Sequence, residues 1–426
     1  MYSSNQYKKK AESKNLDSNE NKTSSANKNK FTEFKNIDKA TETAFYYGFI
    51  PAKQPTIEQI DIDDAAKILE EKNKRSDNEV SSPSETSIEE KISILRNYIN
   101  KNLIAEPQPI MLSYKNTAAS GKHGRNSADE QFLNLHILGS PKSISEIVLI
   151  KTAIAIFADN KIEDVCVDIN SIGDKESTSK FVKELTNYYR KNIEKMPSDC
   201  RQILKKDPFA LLRYDKEGFC RTMNEDAPKA LSCLSEQSRQ HFKEILEGLE
   251  ILGINYRINN SLVPDRRHCS QTIFEITRGV DKKREVLAYG GRYDGLTKKV
   301  GLKKDIPGVV LKIYLKKLAN NILSNIKIKK SDYFFIQLGF EAKLKSLNII
   351  EMLRKAKISV CQSLSRDMLG GQIALAEKLK MSYALIMGKK ESMENTVIVR
   401  NMNTRSQEII STENLSDHLK KLKISV

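Results

Sequence analysis

Apolar positions along this chain change spacing several times, and each change marks an element. Residues 1–30 are mostly Lys, Asn and Ser with almost nothing to bury, which predicts disorder. KNIDKATETAFYYGFIPAKQPTIE (35–58) reads as a helix ending near Gly48 and then an extended strand carrying Pro51 and Pro55. KNKRSDNEVSSPSETS (72–87) breaks the pattern and belongs to a soft loop over 72–90. In PQPIMLSYKNTAASGKHGRNSADEQFLNLHILGS (107–140), two extended runs flank a polar loop, which predicts a long hairpin. An amphipathic helix over 143–160 precedes a strand over 163–171.

The next segment, about 176–258, is helix-rich, with HFKEILEGLEILGI (241–254) at helical spacing. Strand patterns return in QTIFEITR (271–278) and EVLAYGG (285–291). Val310, Tyr314, Leu318, Ile322 and Ile326 fall on one helical stripe, which predicts a helix over 309–326. Beyond 331 the pattern alternates: DYFFIQLGF, ISVCQSL, SYALIMG and NTVIVRNM read as strands. EAKLKSLNIIEMLRKAK, GGQIALAEKLKM and NLSDHLKKLK read as the helices between and after them, a small α/β unit expected to fold alone. There is no internal repeat.

Length and charge narrow the function. At 426 residues, two or three domains are expected. No stretch approaches the roughly 18 apolar residues of a membrane span, and MYSSNQYKKK has no apolar block behind it, so a cytoplasmic protein with no membrane partner is expected. The cysteines Cys166, Cys200, Cys220, Cys233, Cys269 and Cys361 form no C-x-x-C pair, which argues against a zinc ribbon, a metal site or a disulfide scaffold. The net charge of +16 is unevenly placed: +4 over 1–30, +9 over 296–330, +5 over 331–426 and −2 over the remainder. A basic surface confined to one end points to a polyanion, nucleic acid first. The lysine run of 298–330 reads equally as a solvated helix face or an RNA contact.

Five blocks in order carry a resemblance. They are YYGFIPAKQPTIE with Pro55, VDINSIGDKES (167–177), DAPKALSCLSEQSRQHFKEIL (226–246), TIFEI (272–276) with GGRYDGL (290–296), and the alternating C-terminal unit. Over roughly 35–426 the chain resembles the histidyl-tRNA synthetase family of class II aminoacyl-tRNA synthetases. The resemblance implies an α/β (α+β) protein with an antiparallel sheet flanked by helices at 31–326, carrying the helical insertion. It also implies an anticodon-binding-type α/β domain at 331–426, tRNA or another RNA as partner, a homodimer formed through Phe45–Pro55, and ATP with Mg as cofactor if active.

In that family arginines hold the nucleotide where charge develops. The hairpin's Phe-Arg-x-Glu pattern falls on Asn116, Thr117, Ala118 and Ala119, so the arginine and the acid are missing, while Arg125 remains farther along. The loop's Arg-Gly-Leu-Asp-Tyr-Tyr is replaced by Pro264, Asp265, Arg266, Arg267, His268 and Cys269, with Arg266 or Arg267 as a displaced substitute. The third-motif helix has Lys317 in the arginine position and Tyr314 in a glycine position; lysine keeps the charge and loses the planar fork. His136 replaces an acid of the substrate pocket, and a glutamine position falls at Gln131 or Phe132. Gly290, Gly291, Arg292 and Tyr293 remain as substrate-binding candidates, with Tyr293 and the glycines equally readable as turn and packing residues. His136 and His268 read as incidental polar residues. Cys269, beside Arg266, Arg267 and His268, has neighbours that favour a thiolate, but with no partner base identifiable it is not read as a catalytic nucleophile.

The expected function is therefore that of a histidine–tRNA ligase by similarity, impaired in catalysis and retaining RNA binding. The alternatives are an active ligase using Arg125, Arg266 or Arg267 and Lys317 in displaced roles, or a synthetase-like regulatory subunit of ATP phosphoribosyltransferase.

Overall fold

The computed structural model describes residues 31–69, 86–118, 130–212, 219–279, 283–319, 321, 323–329 and 331–424. The tail 1–30, most of the 72–90 loop, Ala119 and Arg125 lie outside the described residues. At the end of that loop the chain is already helical, because Ser87 caps the helix Ile88–Asn100 through a 3.2 Å bond from the Glu90 N–H to its hydroxyl.

Ten strands build the first two sheets: β1 (Phe31–Asp38), β2 (Ile50–Pro51), β3 (Ile110–Ala118), β4 (Glu130–Leu138), β5 (Val165–Gly173), β6 (Tyr256–Ile258), β7 (Ser270–Arg278), β8 (Glu285–Arg292), β9 (Gly308–Tyr314) and β10 (Leu323–Lys329). Eight of them form one sheet in the order β2-β3-β4-β9-β8-β7-β5-β6. It is antiparallel throughout except at its two edges, where β2 joins β3 and β6 joins β5 in parallel. The hairpin expected over 107–140 is present, running in register from Ile110 opposite Leu138 to Ala118 opposite Glu130.

The helix expected over 309–326 is not there. Residues 308–314 form β9, clamped between β4 and β8, followed by a short 3-10 turn at Leu315–Lys317. Residues 323–329 form β10, which pairs with β1 as a separate two-stranded ribbon. A central strand buries both faces, so its apolar run is nearly continuous and matches a helical stripe by accident. The β-branched Val309, Val310 and Ile313 favour the strand. Lys317 therefore does not sit on a third-motif helix.

The helix Ile144–Asp159 lies on one face of the sheet and is buried on almost every side. The helix Ile88–Asn100 covers the other face over β3, β4, β8 and β9, packing Ile88, Ile92, Leu95 and Tyr98 against Tyr114, Leu138, Tyr293 and Val310. The segment after β5 is helical as expected, with its own core around Phe181, Leu185, Tyr189 and Phe209. In it Cys200 is disulfide-bonded, a link the scattered cysteine spacing did not suggest, whereas Cys166, Cys233, Cys269 and Cys361 are in the thiol form.

The C-terminal sheet contains β11 (Tyr333–Gln337), β12 (Val360–Gln362), β13 (Tyr383–Met387), β14 (Thr396–Asn401) and β15 (Gln407–Ser411) in the order β12-β11-β13-β14-β15. β11 pairs in parallel with β12 and β13, while β14 and β15 are antiparallel additions, so the sheet is mixed. Sequence reasoning placed four of these strands and missed β15. One face is covered by the helix Leu369–Lys378 over Phe334, Ile336 and Ile386. The other face, under Phe340–Lys355 and Thr412–Ile424, joins the core of the large sheet in one apolar cluster. Among the described residues, no helix is long and apolar enough to cross a membrane.

Candidate functional site

Beneath the helix Ile88–Asn100 the large sheet carries buried polar side chains. Glu90, one turn into that helix, points at the sheet and accepts hydrogen bonds from the Tyr114 hydroxyl at 2.7 Å and Asn116 Nδ2 at 3.0 Å. Tyr114 on β3 stacks on His136 of β4, with ring centroids 5.4 Å apart and its hydroxyl 3.1 Å from His136 Nε2. His136 Nδ1 lies 3.1 Å from the Tyr293 hydroxyl, just beyond β8. Asn134 Nδ2 extends the network by donating to Asn116 Oδ1 at 2.9 Å.

Protonation states follow from burial. The His136 pKa is depressed to about 3, first by desolvation and then by the positive charge of Lys91, so the imidazole is neutral near pH 7. Burial pushes Tyr114 and Tyr293 up, which keeps both hydroxyls protonated. Tyr114 spends its proton on Glu90, so its oxygen must accept from His136 Nε2–H. His136 Nδ1 is then the acceptor for the Tyr293 O–H. The order of donation runs Tyr293, His136, Tyr114, Glu90, with one proton in each link. Burial raises the Glu90 pKa, while the Tyr114 bond and the charges of Lys312 and Lys91 oppose that shift. Lys312 is itself buried, its ammonium 4.0 Å from the centre of the Phe132 ring.

Beside this chain lies a second cluster. Lys91 Nζ is 3.1 Å from His268 Nδ1 and 3.3 Å from Cys269 Sγ, and the ammonium sits 5.8 Å from the Tyr293 ring centre. Between them the side chains leave a cavity of about 10 Å³, lined in part by Thr86, Lys91, Cys269, Thr272, Tyr289 and Gly291. That is room for one water. A larger cleft of about 320 Å³ lies elsewhere, between Glu106–Gln108 and Ser365, Arg366 and Lys378 of the C-terminal unit. It borders none of the groups in the network, so it is not a continuation of this site.

Among the described residues, the expected site residues do not gather in one place. Tyr293 joins the network, but Arg292 points to the opposite face, fully buried against Glu146 through bonds of 2.7 and 2.5 Å. Glu146 also takes His241 at 2.9 Å and is held down to about 2, burial being outweighed by Arg292 and His241 together. Gly290 serves packing: a Cβ there would lie 2.4 Å from the Phe274 ring. Gly308 likewise leaves room for Tyr293, whose ring would be 2.5 Å from an added Cβ. Arg267 forks onto its neighbour Asp265, at 3.0 and 2.6 Å, and donates to the Leu69 carbonyl. Arg266 faces Asp207 at 3.3 Å and the Phe209 ring. Lys317 is tied to the Val286 carbonyl at 2.5 Å and Glu285 at 3.3 Å. Each of these cations is engaged with carboxylates or carbonyls of its own chain.

The central groups Glu90, Lys91, Tyr114 and Lys312 were not singled out from the sequence, and His136 and His268 were set aside as incidental. One signal was available: Ser87-x-x-Glu90 before the apolar run of Ile92, Ile94 and Leu95 is a helix-start pattern, which shortens the soft loop and turns Glu90 and Lys91 toward the sheet. Among the described residues, no group of His, Cys, Asp and Glu is placed to hold a metal ion.

Comparison with known proteins places this geometry. A family model described as an anticodon binding domain matches residues 334–422. The histidine–tRNA ligase of Acetivibrio thermocellus is 28% identical over 334 residues, covering 77% of this chain and 79% of that one. That of Caldicellulosiruptor saccharolyticus is 29% identical over 335 residues, with the same 77% and 79% coverage. The crystal structure of apo S. aureus histidyl-tRNA synthetase aligns at a TM-score of 0.49 and 20% identity, over 89% of this chain and 93% of that one. Over most of its length the chain is similar to histidine–tRNA ligases, and its C-terminal unit matches an anticodon binding domain, which supports the resemblance to the histidyl-tRNA synthetase family of class II aminoacyl-tRNA synthetases that its motifs carry.

Proposed function

We propose that this chain is a histidyl-tRNA synthetase-family protein that retains RNA, tRNA first, as its partner while its adenylate-forming site is closed by its own side chains. The observation that carries the reading is the filled face beneath Ile88–Asn100. Pockets for ligands of drug size, which an aminoacyl-adenylate matches, run to about 300 Å³ or more, whereas the cavity between Lys91 and Cys269 holds about 10 Å³. The cations that the family resemblance assigns to ATP phosphates fit the group no better. Arg266, Arg267 and Lys317 face Asp207, Asp265 and Glu285, and a phosphate would have to displace each carboxylate. ATP with Mg would be the cofactor of any residual ligase activity.

RNA binding is supported by the anticodon-binding match and by charge. Arg366, Lys378, Lys380, Lys389, Lys390 and Arg405 stand exposed on the C-terminal unit, while its cations Lys343 and Arg354 are buried at the junction with the core. We place the protein in the cytoplasm as a homodimer. Ile50, Ile57, Ile60 and Ile62, exposed beside the short edge strand β2, form the apolar surface such a dimer would cover.

The deciding experiment is histidine-dependent exchange of pyrophosphate into ATP by the purified chain, run beside a competition titration of RNA binding. Background exchange with preferential displacement by histidine tRNA over heparin is the expected pair of results. Robust exchange would restore the working-ligase alternative, and equal displacement by any polyanion would remove specific tRNA recognition.

A further inference from the structure

Cys269 is the thiol with the strongest reason to be reactive. It is partly accessible and has two nitrogen groups at contact distance, Lys91 Nζ and His268 Nδ1, each 3.3 Å from its sulfur. Lys91 is 2% exposed, so its charge is little screened by water where it meets the sulfur. Lys299, whose ammonium donates to the Arg267 carbonyl, adds a further cation facing the thiol. The nearby carboxylate Asp265 is engaged by the fork of Arg267 and stands 3.9 Å from His268. This is the electropositive, partly open setting that favours thiolate over thiol.

A second observation concerns the cavity. Thr86 and Thr272 also line it, both nearly fully buried, and neither side-chain hydroxyl has a hydrogen-bond partner. Buried hydroxyls are rarely left unpaired, because each costs about 1–3 kcal/mol. The space between them and Cys269 admits one oxygen atom and little more.

From these two features we propose that Cys269 is a modification site for small hydroperoxides, oxidised to a sulfenic acid whose oxygen occupies the cavity between Lys91, Thr86 and Thr272. In the reaction the Cys269 thiolate attacks one peroxide oxygen, an S–O bond forms and the O–O bond breaks. The sulfur loses two electrons and the peroxide gains them. The departing hydroxide, or the alkoxide of a small alkyl hydroperoxide, takes a proton from the Lys91 ammonium and leaves as water or alcohol, and solvent reprotonates the lysine. The small cavity excludes bulky hydroperoxides, and the two hydroxyls then gain the partner they lack, which slows further oxidation to the sulfinic acid.

The test treats the full-length protein with hydrogen peroxide at neutral pH, traps sulfenic acid with dimedone and reads each cysteine by peptide mass mapping. Cys233 is an internal control, since burial and Glu184, 3.2 Å away, push its thiol up to about 11. Cys269 should label at least about tenfold faster than Cys233, and Lys91→Met, which keeps the stem and removes the charge, should slow it about tenfold. Thr272→Val should leave the first oxidation at its original rate and shift the product from sulfenic to sulfinic acid. Labelling of Cys269 no faster than Cys233, or an unchanged rate in folded Lys91→Met protein, would overturn the proposal. Should Lys91→Met fail to fold, Thr272→Val decides: an unchanged ratio of sulfenic to sulfinic product rules out the cavity's role.

Discussion

The two larger sheets of this chain put their charges in opposite places. In the C-terminal sheet, cations such as Lys378, Lys389 and Lys390 face solvent, and the buried ones, Lys343 and Arg354, sit at the junction with the core. In the large sheet Glu90, Lys91, His136, Glu146, Asp168, Arg292 and Lys312 are all buried. A surface of exposed cations suits a polyanion that arrives from solution. Buried groups already paired with each other suit a structure that binds nothing there, since a newcomer must break bonds made in a low-dielectric interior. The difference teaches that one chain can place its cations in two ways: the C-terminal unit leaves them open to solvent, while the large sheet pairs its charges inside.

The sharpest way to break this contrast is to open a buried pair in the core. Arg292→Met leaves Glu146 ionised and buried with only His241 beside it, and removing one partner of such a pair costs about 3–5 kcal/mol. Urea denaturation of the full chain should show that loss. A change under about 1 kcal/mol would mean the pair is solvated, against its complete burial.

Next in size is the response to acid, which the neutral His136 dictates. Its folded pKa of about 3 lies below the ordinary value of 6.5, so between these limits the unfolded chain binds the extra proton. Stability from this residue is complete above pH 6.5 and falls as pH drops toward 3, by about 2–3 kcal/mol at pH 4.5. Glu90, raised by burial, acts in the opposite sense above its unfolded value of 4.5 and softens the slope. Glu146, lowered to about 2, adds its own loss only below about 4.5. His136→Phe should therefore flatten stability between pH 4.5 and 6.5, at a cost of about 1–3 kcal/mol near pH 7 for the Tyr293 hydroxyl that loses its acceptor. An unflattened profile would show that His136 is not the group titrating.

How much of this could be read beforehand divides along the same line. β11 to β14 and their helices were visible because a sheet with helices on both faces alternates strand and helix patterns at regular intervals. β15, with Glu408 and Ile409 exposed, carries too little burial to announce itself. In the large sheet the hairpin and β5, β7 and β8 are readable, but β9 has a helical spacing because a strand buried on both faces loses its period of two. The site was the least readable part. GGRYDGL drew attention to Arg292 and Tyr293, yet adjacent residues point to opposite faces of a strand, so one became an ion-pair anchor and the other a link in the hydrogen-bond chain. Lys91, His268 and Cys269 meet only through the packing of a helix on a loop more than 170 residues away in sequence.

A smaller effect is expected where the two halves meet. Arg354 reaches across to Asp159 at 2.8 Å and holds Glu351 at 2.7 Å, while Tyr47 donates to Glu351 from the core side at 3.0 Å. These groups retain some contact with water, so Arg354→Leu should cost about 1–2 kcal/mol, less than a fully buried pair. The loss should appear as earlier unfolding of the C-terminal unit, followed by amide hydrogen exchange in β11 and β13. Uniform loss across both sheets would instead show that they unfold as one unit, as the apolar cluster shared between them allows.

The least disruptive variant probes the exposed side of the contrast. Lys389 and Lys390 open the short helix Lys389–Glu394 and are exposed, so Lys389→Gln with Lys390→Gln should move stability by no more than about 0.5 kcal/mol. If each lysine meets a phosphate, the salt dependence of RNA affinity should become shallower by about one unit of slope per contact, nearly independent of RNA sequence. Pyrophosphate exchange should be unaffected, because the substitution lies outside the large sheet. The same double substitution in charge-reversed form, Lys389→Glu with Lys390→Glu, should weaken binding further at low salt and converge with the neutral variant at high salt, where screening removes the repulsion. Slopes that match the unmodified chain in both variants would move the proposed RNA surface away from this helix, toward Lys378, Lys380 and Arg405, and leave the contrast between solvent-facing and buried charges as it is.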